Sequence, residues 1–227
     1  VGVIALLIML EPDLGTTMII GTTSFIMYFI AKEGPDHAKL TFMSLLVLFI
    51  PLVIIAALLE PYRIGRVSTY LHLLTTGEIS DPRGDGYQMQ QILIGIGSGG
   101  FLGKGFGQSR QRFGYLVENT AFTDSIFAVI LEELGFLGGT ILVVAWTIFL
   151  WRGFKIGLNA PDKQGKLLAI GITVWLTLQA LLNMGANVGL IPLTGIPAPF
   201  LSYGGSSTIV TLAGIGILLN ISKHSKG

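Results

Sequence analysis

The chain contains no cysteine, which excludes a disulfide framework and thiolate metal sites. Its three histidines, His37, His72 and His224, are scattered and form no ligand cluster. Charge is scarce too: Asp, Glu, Lys and Arg make up 12% of 227 residues and sum to +1, a balance that argues for no particular soluble partner, nucleic acid included. No phosphate-binding loop of the Walker type occurs, and no internal repeat or low-complexity tract stands out. At its start the chain lacks an initiator methionine, a basic n-region and a cleavage site. Val1 already lies in an apolar run, which reads as the C-terminal part of a longer chain rather than a signal peptide.

What fills the sequence instead is apolar: 51% of residues are hydrophobic and the mean hydropathy is +0.72, with these residues gathered into long runs. That pattern predicts an all-α integral membrane protein, a polytopic helical bundle forming a single transmembrane domain over 1–227. The tail of one span covers 1–10 and ends at Glu11-Pro-Asp, where proline and two acids cannot readily continue a lipid-facing helix. Further spans are predicted over 14–31, 40–59, 125–151, 167–188 and 205–221. Between them, 60–122 is the only long hydrophilic segment and reads as a large loop. Within it, Met89, Leu93 and Ile96 fall at helical spacing and predict a short interfacial helix from Gly86. The glycines crowded between Gly95 and Gly107 predict a tightly folded loop that resists regular structure.

Three carboxylates follow that loop: Asp124, Glu132 and Glu133. An acid at the centre of a membrane helix costs roughly 2.5 to 3.5 kcal/mol, so each is a functional candidate. In a helix starting near Asp124, the glutamates would lie about 12 Å further in. Glu132 would sit roughly 80° around from Asp124 and Glu133 roughly 180°, so only Glu132 could share a cavity with it. The alternative is that Asp124 is an N-cap and the glutamates pair with basic residues of neighbouring helices.

The short connections 32–39 and 152–166 and the tail after Ser222 carry Lys32, Lys39, Arg152, Lys155, Lys163, Lys166, Lys223 and Lys226. These segments, and with them the C-terminus, are predicted to face the cytoplasm, which puts the loop bearing Asp124 outside. The connection from Gly189 to Gly205 is too apolar for a solvated loop, and Pro192, Pro197 and Pro199 forbid a continuous helix. It is expected to dip back against the bundle, where protein satisfies its backbone. Its end, with Ser202, Ser206 and Ser207, would open a helix with free N–H groups and hydroxyls, a ready anion site. Glycines for close packing and serines as caps would account for the same residues.

Glu11-Pro-Asp-Leu-Gly-Thr, Gly86-Tyr-Gln, Asp124 with Ile126-Phe127-Ala128 and Glu132-Glu133-Leu-Gly, Asn183, Pro192-Leu-Thr-Gly-Ile-Pro and Ser202-Tyr-Gly-Gly-Ser-Ser207 together resemble the SEDS family of cell shape, division and sporulation proteins. The match covers nearly the whole chain in the right order. It implies a bundle of about ten transmembrane helices, of which this chain would supply roughly the last six. It also implies an inverting glycosyltransferase of the bacterial cytoplasmic membrane that polymerises lipid II into glycan strands beside a class B penicillin-binding transpeptidase.

Carried over residue by residue, the resemblance makes Asp124 the catalytic acid and implies substrate contacts from Arg66, Gln88, Lys104, Arg110, Arg112, Glu118, Glu132, Ser202, Ser206 and Ser207. Arg66, Lys104, Arg110 and Arg112 are the candidates to stabilise a departing pyrophosphate. A divalent cation could share that role, although nothing in the sequence fixes a ligand set. The chain departs from the family where Val117 replaces a proline, where Asn119 to Thr123 make a longer approach to Asp124, and where Ser125 follows it. Two other classes remain open on the residues alone: a flippase for the lipid-linked precursor, or a membrane scaffold without chemistry. An acid at a cavity mouth beside several arginines favours the enzyme, because a scaffold needs none of them.

Overall fold

The computed structural model describes residues 14–31, 61–79, 86–113 and 121–225. The spans predicted over 1–10 and 40–59, and Glu118, lie outside the described residues. The elements are α1 (Leu14–Ala31), α2 (Pro61–Thr76), α3 (Tyr87–Gly99), a 3₁₀ turn (Gln111–Phe113), α4 (Ile126–Leu158), α5 (Lys163–Asn187) and α6 (Gly205–His224), with no strand among the described residues. Helices α4, α5 and α6 are long and apolar enough to cross a membrane, and α1 contributes a shorter apolar stretch. The protein is an all-helical polytopic membrane protein.

Helix α5 is the axis of the bundle. It starts at Asp162, whose carboxylate accepts from the Gly165 N–H at 2.9 Å and so caps the first turn. It packs against α1, α4 and α6. Its apolar window is 61% buried among the described residues, whereas that of α6 is 17% buried, so α5 carries most of the packing among these residues. The core between α4 and α5 is built from Phe127, Leu131, Trp146, Leu176, Ala180 and Met184. A second cluster, Ile92, Ala121, Ala128 and Val129, joins α3 to the start of α4.

Three sequence expectations need correction. Within 60–122, Pro61–Thr76 is helical although the segment is too polar to read as a span; Pro61 occupies the first helical position, where its missing N–H costs nothing. Helix α3 runs through Gly95 and Gly97 to Gly99 rather than dissolving at Gly95. Its buried face is Met89, Ile92, Gly95 and Gly99, with Leu93 and Ile96 only partly covered, so it packs on α4 instead of lying alone at an interface. Glycine is retained on that face because a Cβ on Gly99 would overlap the Leu131 carbonyl. Third, α4 is not one continuous helix from Asp124: it begins at Ile126 and is interrupted at Gly135, where φ is 66° and ψ −166°.

That interruption is filled by the loop after α3. Breaking the helix removes the bonds that Phe136 and Leu137 N–H would give to Glu132 and Glu133. The loop supplies four replacements. Lys104 and Gly105 N–H donate to the Glu132 and Glu133 carbonyls at 3.0 and 2.9 Å, while Phe136 and Leu137 N–H donate to the Gly100 and Phe101 carbonyls at 2.9 and 3.1 Å. Backbone meets backbone here, so a Cβ on Gly103 would overlap the Glu133 carbonyl and one on Gly135 would overlap the loop at Gly103 and Phe101. Beyond the break, Phe136–Leu158 rises about 34 Å, enough to cross about 30 Å of hydrocarbon with Arg152 and Lys155 reaching the far edge. Both glutamates lie in the short first segment of α4, ahead of the break and outside the stretch that is long enough to cross.

The backbone at Gly135 lies in a region open essentially to glycine alone. Gly135→Ala should therefore cost about 3 kcal/mol or more, lowering the melting temperature of the full-length protein in detergent. Gly97→Ala, on an open face of α3 where an added methyl would meet no neighbouring atom, should be neutral or slightly stabilising. Equal melting temperatures for the two variants would contradict the loop insertion.

Candidate functional site

Asp124 lies in the turn 122–125, one residue outside α4, whose N-cap is Ser125 without a side-chain capping bond. An N-cap role for Asp124 is thereby excluded. The helix draws its first carbonyl from Ser125, which accepts from Ala128 and Val129 N–H, so the carbonyls of 122, 123 and 124 receive nothing from α4. All three are taken by the C-terminal half of the chain. Tyr203 N–H donates to Phe122 O at 2.7 Å. The Ser202 hydroxyl donates to Thr123 O at 2.6 Å and itself accepts from Ala198 N–H. Asn183 and Asn187 Nδ2 donate to Asp124 O at 2.8 and 2.9 Å. On the other flank, Gln88 Nε2 of α3 donates to the Ser125 hydroxyl at 3.3 Å. The half-buried Asp124 carboxylate faces Gly195, where any side chain would start 3.6 Å from Oδ2.

The segment between α5 and α6 folds back on the bundle, as its prolines predict, and protein groups satisfy its backbone. Tyr70 and Arg66 of α2 donate to Leu190 O at 2.6 Å and Leu193 O at 2.9 Å. Asn183 and Gln179 of α5 donate to Ile196 O at 2.7 Å and Pro197 O at 2.9 Å. Gly15 packs against Ile196, which brings the start of α1 to the same place. Arg66, Thr69 and Tyr70 also line a small cavity with Met89, Ile191, Pro192 and Leu193.

A second cluster surrounds Glu132, whose side chain is 1% exposed. Its carboxylate accepts from Lys104 Nζ at 2.7 Å, Ser109 Oγ at 2.6 Å, Ser98 Oγ at 3.4 Å and the N–H groups of Arg110 and Gln111 at 3.3 Å. With so many donors, Glu132 holds the loop 98–111 in place and does not open onto a cavity shared with Asp124, which corrects the reading from helical angles. Glu133 is buried as well, with Arg112 Nη1 at 3.9 Å from Oε1, an ion pair beyond hydrogen-bond reach. The Arg112 guanidinium also lies 5.4 Å from the ring centroid of Phe122, two residues before Asp124.

The predicted residues thus fall into groups. Asp124, Gln88 and Ser202 are brought together by the turn 122–125. Lys104, Arg110, Arg112 and Glu132 share the loop cluster, with the Arg110 side chain exposed and Lys104 bound to Glu132. Arg66 stands with the folded-back segment, and Ser206 and Ser207 lie in the first turn of α6, Ser206 exposed. Sequence reasoning missed Asn187, Gln179, Ser109 and Tyr70. The spacing of Gln179, Asn183 and Asn187, four apart on an otherwise apolar helix, was the available signal for two of them. Among the described residues no three His, Cys, Asp or Glu converge, and Glu132 is fully engaged by protein donors.

Comparison with known proteins agrees with this architecture. The sequence model of the family named for FtsW, RodA and SpoVE, described as cell cycle protein, matches residues 1–227. Stage V sporulation protein E of Bacillus subtilis is 45% identical over 97% of the chain and 57% of its own length. A probable peptidoglycan glycosyltransferase FtsW of Halothiobacillus neapolitanus is 40% identical over 96% of the chain and 50% of its own length. The chain therefore spans about half the length of the curated relatives it matches. Among solved structures, one described as a peptidoglycan synthase complex coordinating polymerization and crosslinking aligns with a TM-score of 0.71 at 30% identity, covering 97% of this chain and 58% of that one. Thermus thermophilus rod shape determining protein RodA shares the fold, with a TM-score of 0.58 at 24% identity over 99% of this chain and 54% of that one. With its full length matched by the family and its fold shared, the chain belongs to the FtsW, RodA and SpoVE family of cell cycle proteins, the SEDS family that its motifs resemble.

Proposed function

We propose that this chain forms the catalytic half of a peptidoglycan glycosyltransferase that polymerises lipid II at the outer face of the bacterial cytoplasmic membrane, with Asp124 as its general base. The observation that supports this best is the turn 122–125, where three successive carbonyls are pinned by α5 and the folded-back segment so that one carboxylate is presented from a fixed backbone. In the reaction, the 4-hydroxyl of the acceptor sugar attacks the anomeric carbon of the donor. The bond from that carbon to the lipid pyrophosphate breaks, the pyrophosphate leaves with the electron pair, and the hydroxyl proton passes to Asp124. A positioned base of this kind contributes roughly 10² to 10⁴-fold. The leaving group needs no acid, only cations or N–H donors for its growing charge. Arg110, whose side chain is exposed, meets that need best; Lys104 is compensated by Glu132 at 2.7 Å, and Arg112 keeps a long ion pair to Glu133 at 3.9 Å. The basic residues of 152–166 and of the C-terminal tail support the outward orientation of Asp124. A class B transpeptidase working beside the chain is in keeping with the synthase complex that its fold matches.

The full-length protein in detergent, where no two compartments exist, should convert lipid II into glycan when its transpeptidase partner is present. Polymer absent in detergent, together with movement of lipid II between leaflets of sealed vesicles, would make the protein a flippase instead. Arg112→Ala should slow polymerisation, and added salt should weaken capture through the exposed arginines. Unchanged rates in both tests would remove Arg112 from the site. A structural prediction accompanies these: Glu132→Gln should cost about 2 kcal/mol of stability because it turns an N–H toward several donors, and Glu133→Gln should cost less, since its ion pair is long. Melting curves in which Glu133→Gln is the more damaging would contradict the loop geometry.

A further inference from the structure

Helix α5 carries Gln179, Asn183 and Asn187 at successive four-residue intervals, so all three carboxamides lie along one face. All three are buried, Asn183 and Asn187 almost completely. Their N–H groups go to main-chain carbonyls of two different segments. Gln179 holds Pro197, Asn183 holds both Ile196 and Asp124, and Asn187 holds Asp124 and its own helix at Asn183 O, at distances from 2.7 to 2.9 Å. The amide orientation is fixed by these partners, because exchanging O for N would set oxygen against carbonyl oxygen.

Asp124 O therefore receives two donors from a rigid helix, which fills both of its lone pairs. A core helix gains nothing from such residues for packing alone: among the described residues the Asn187 Oδ1 has no hydrogen-bond partner, a cost that an apolar side chain would avoid. What the pair provides is a fixed origin for the Asp124 side chain relative to the folded-back segment.

We propose that Asn183, assisted by Asn187, is a positioning residue that aims the Asp124 carboxylate by holding its backbone carbonyl, and so sets the rate of proton transfer rather than the affinity for substrate. The proposal rests on the base role of Asp124 described above. A shift of about 1 Å in a reacting group costs on the order of 100-fold in rate, so the grip on the carbonyl is matched to the geometry that general-base chemistry needs.

The test uses the full-length protein and lipid II in detergent, with its transpeptidase partner. Asn183→Ser and Asn183→Asp should lower kcat per folded molecule by about 10 to 100-fold with KM unchanged within about twofold. Leu176→Ala, a buried residue of the same helix outside the site, supplies the control of comparable destabilisation and should leave kcat per folded molecule as in the wild type. Should the Asn183 variants fail to fold, Asn187→Ser decides: it leaves one of the two donors to Asp124 O, and a loss of about threefold or more in kcat at constant KM supports the proposal. Wild-type kcat in every folded variant at 183 and 187, or a rise in KM with kcat intact, overturns it. Asp124→Asn in parallel separates the two levels of inference. If that variant is active, the base role itself fails; if it is inactive while the asparagine variants turn over normally, only the positioning role fails.

Discussion

Inside a bilayer every backbone N–H and C=O must find a partner within the protein, and an unbroken helix meets that demand alone while any interruption does not. Among the described residues two interruptions stand out: Gly135 within α4, and the segment between α5 and α6. Each is satisfied by residues far away in sequence. The first recruits the loop after α3, which exchanges four hydrogen bonds with the broken helix. The second recruits Arg66 and Tyr70 from α2 and Gln179 and Asn183 from α5. The carbonyls ahead of α4 are a third place where the helix cannot help, and the same α5 asparagines and Ser202 serve it. The site is therefore a by-product of satisfying the backbone at points where helices stop.

The charged residues follow the same logic. Glu132 is buried because the loop brings it a lysine, two hydroxyls and two backbone N–H groups, and a carboxylate with that many donors is stable where an isolated one would not be. This makes Glu132 an organiser of the loop that presents Arg110 and Arg112. Asp124 is the opposite case: its main chain is engaged and its carboxylate is only half-buried beside Gly195. Two acids eight residues apart thus take different roles through their surroundings.

Much of this was legible in the residues. The apolar runs place α1, α5 and α6 within a few residues of their observed bounds, because lipid leaves little choice over a span. Three prolines identify the folded-back segment, and the order of motifs identifies the family. Helix α2 was not legible, since it is too polar to be a span and its fixing contacts lie more than a hundred residues away. Glycine propensity argued against the second half of α3, yet close packing on α4 requires glycine there. Nor could the break at Gly135 be distinguished from Gly138 and Gly139, which stay helical; only the loop that fills it makes the difference. The angular relation of Asp124 to Glu132 failed for a different reason: it assumed that the helix already includes Asp124, which lies in the turn ahead of the N-cap Ser125.

One proton decides the chemistry. In the full-length protein with its transpeptidase partner, single-turnover polymerisation of lipid II by Asp124→Asn should fall by about 100-fold or more, since the amide keeps the shape but cannot accept the hydroxyl proton. Its melting temperature should stay near that of the wild type, because the change is nearly isosteric and leaves the bonds from Asn183 and Asn187 to the backbone carbonyl in place. Wild-type turnover by a folded Asp124→Asn protein would contradict the base role.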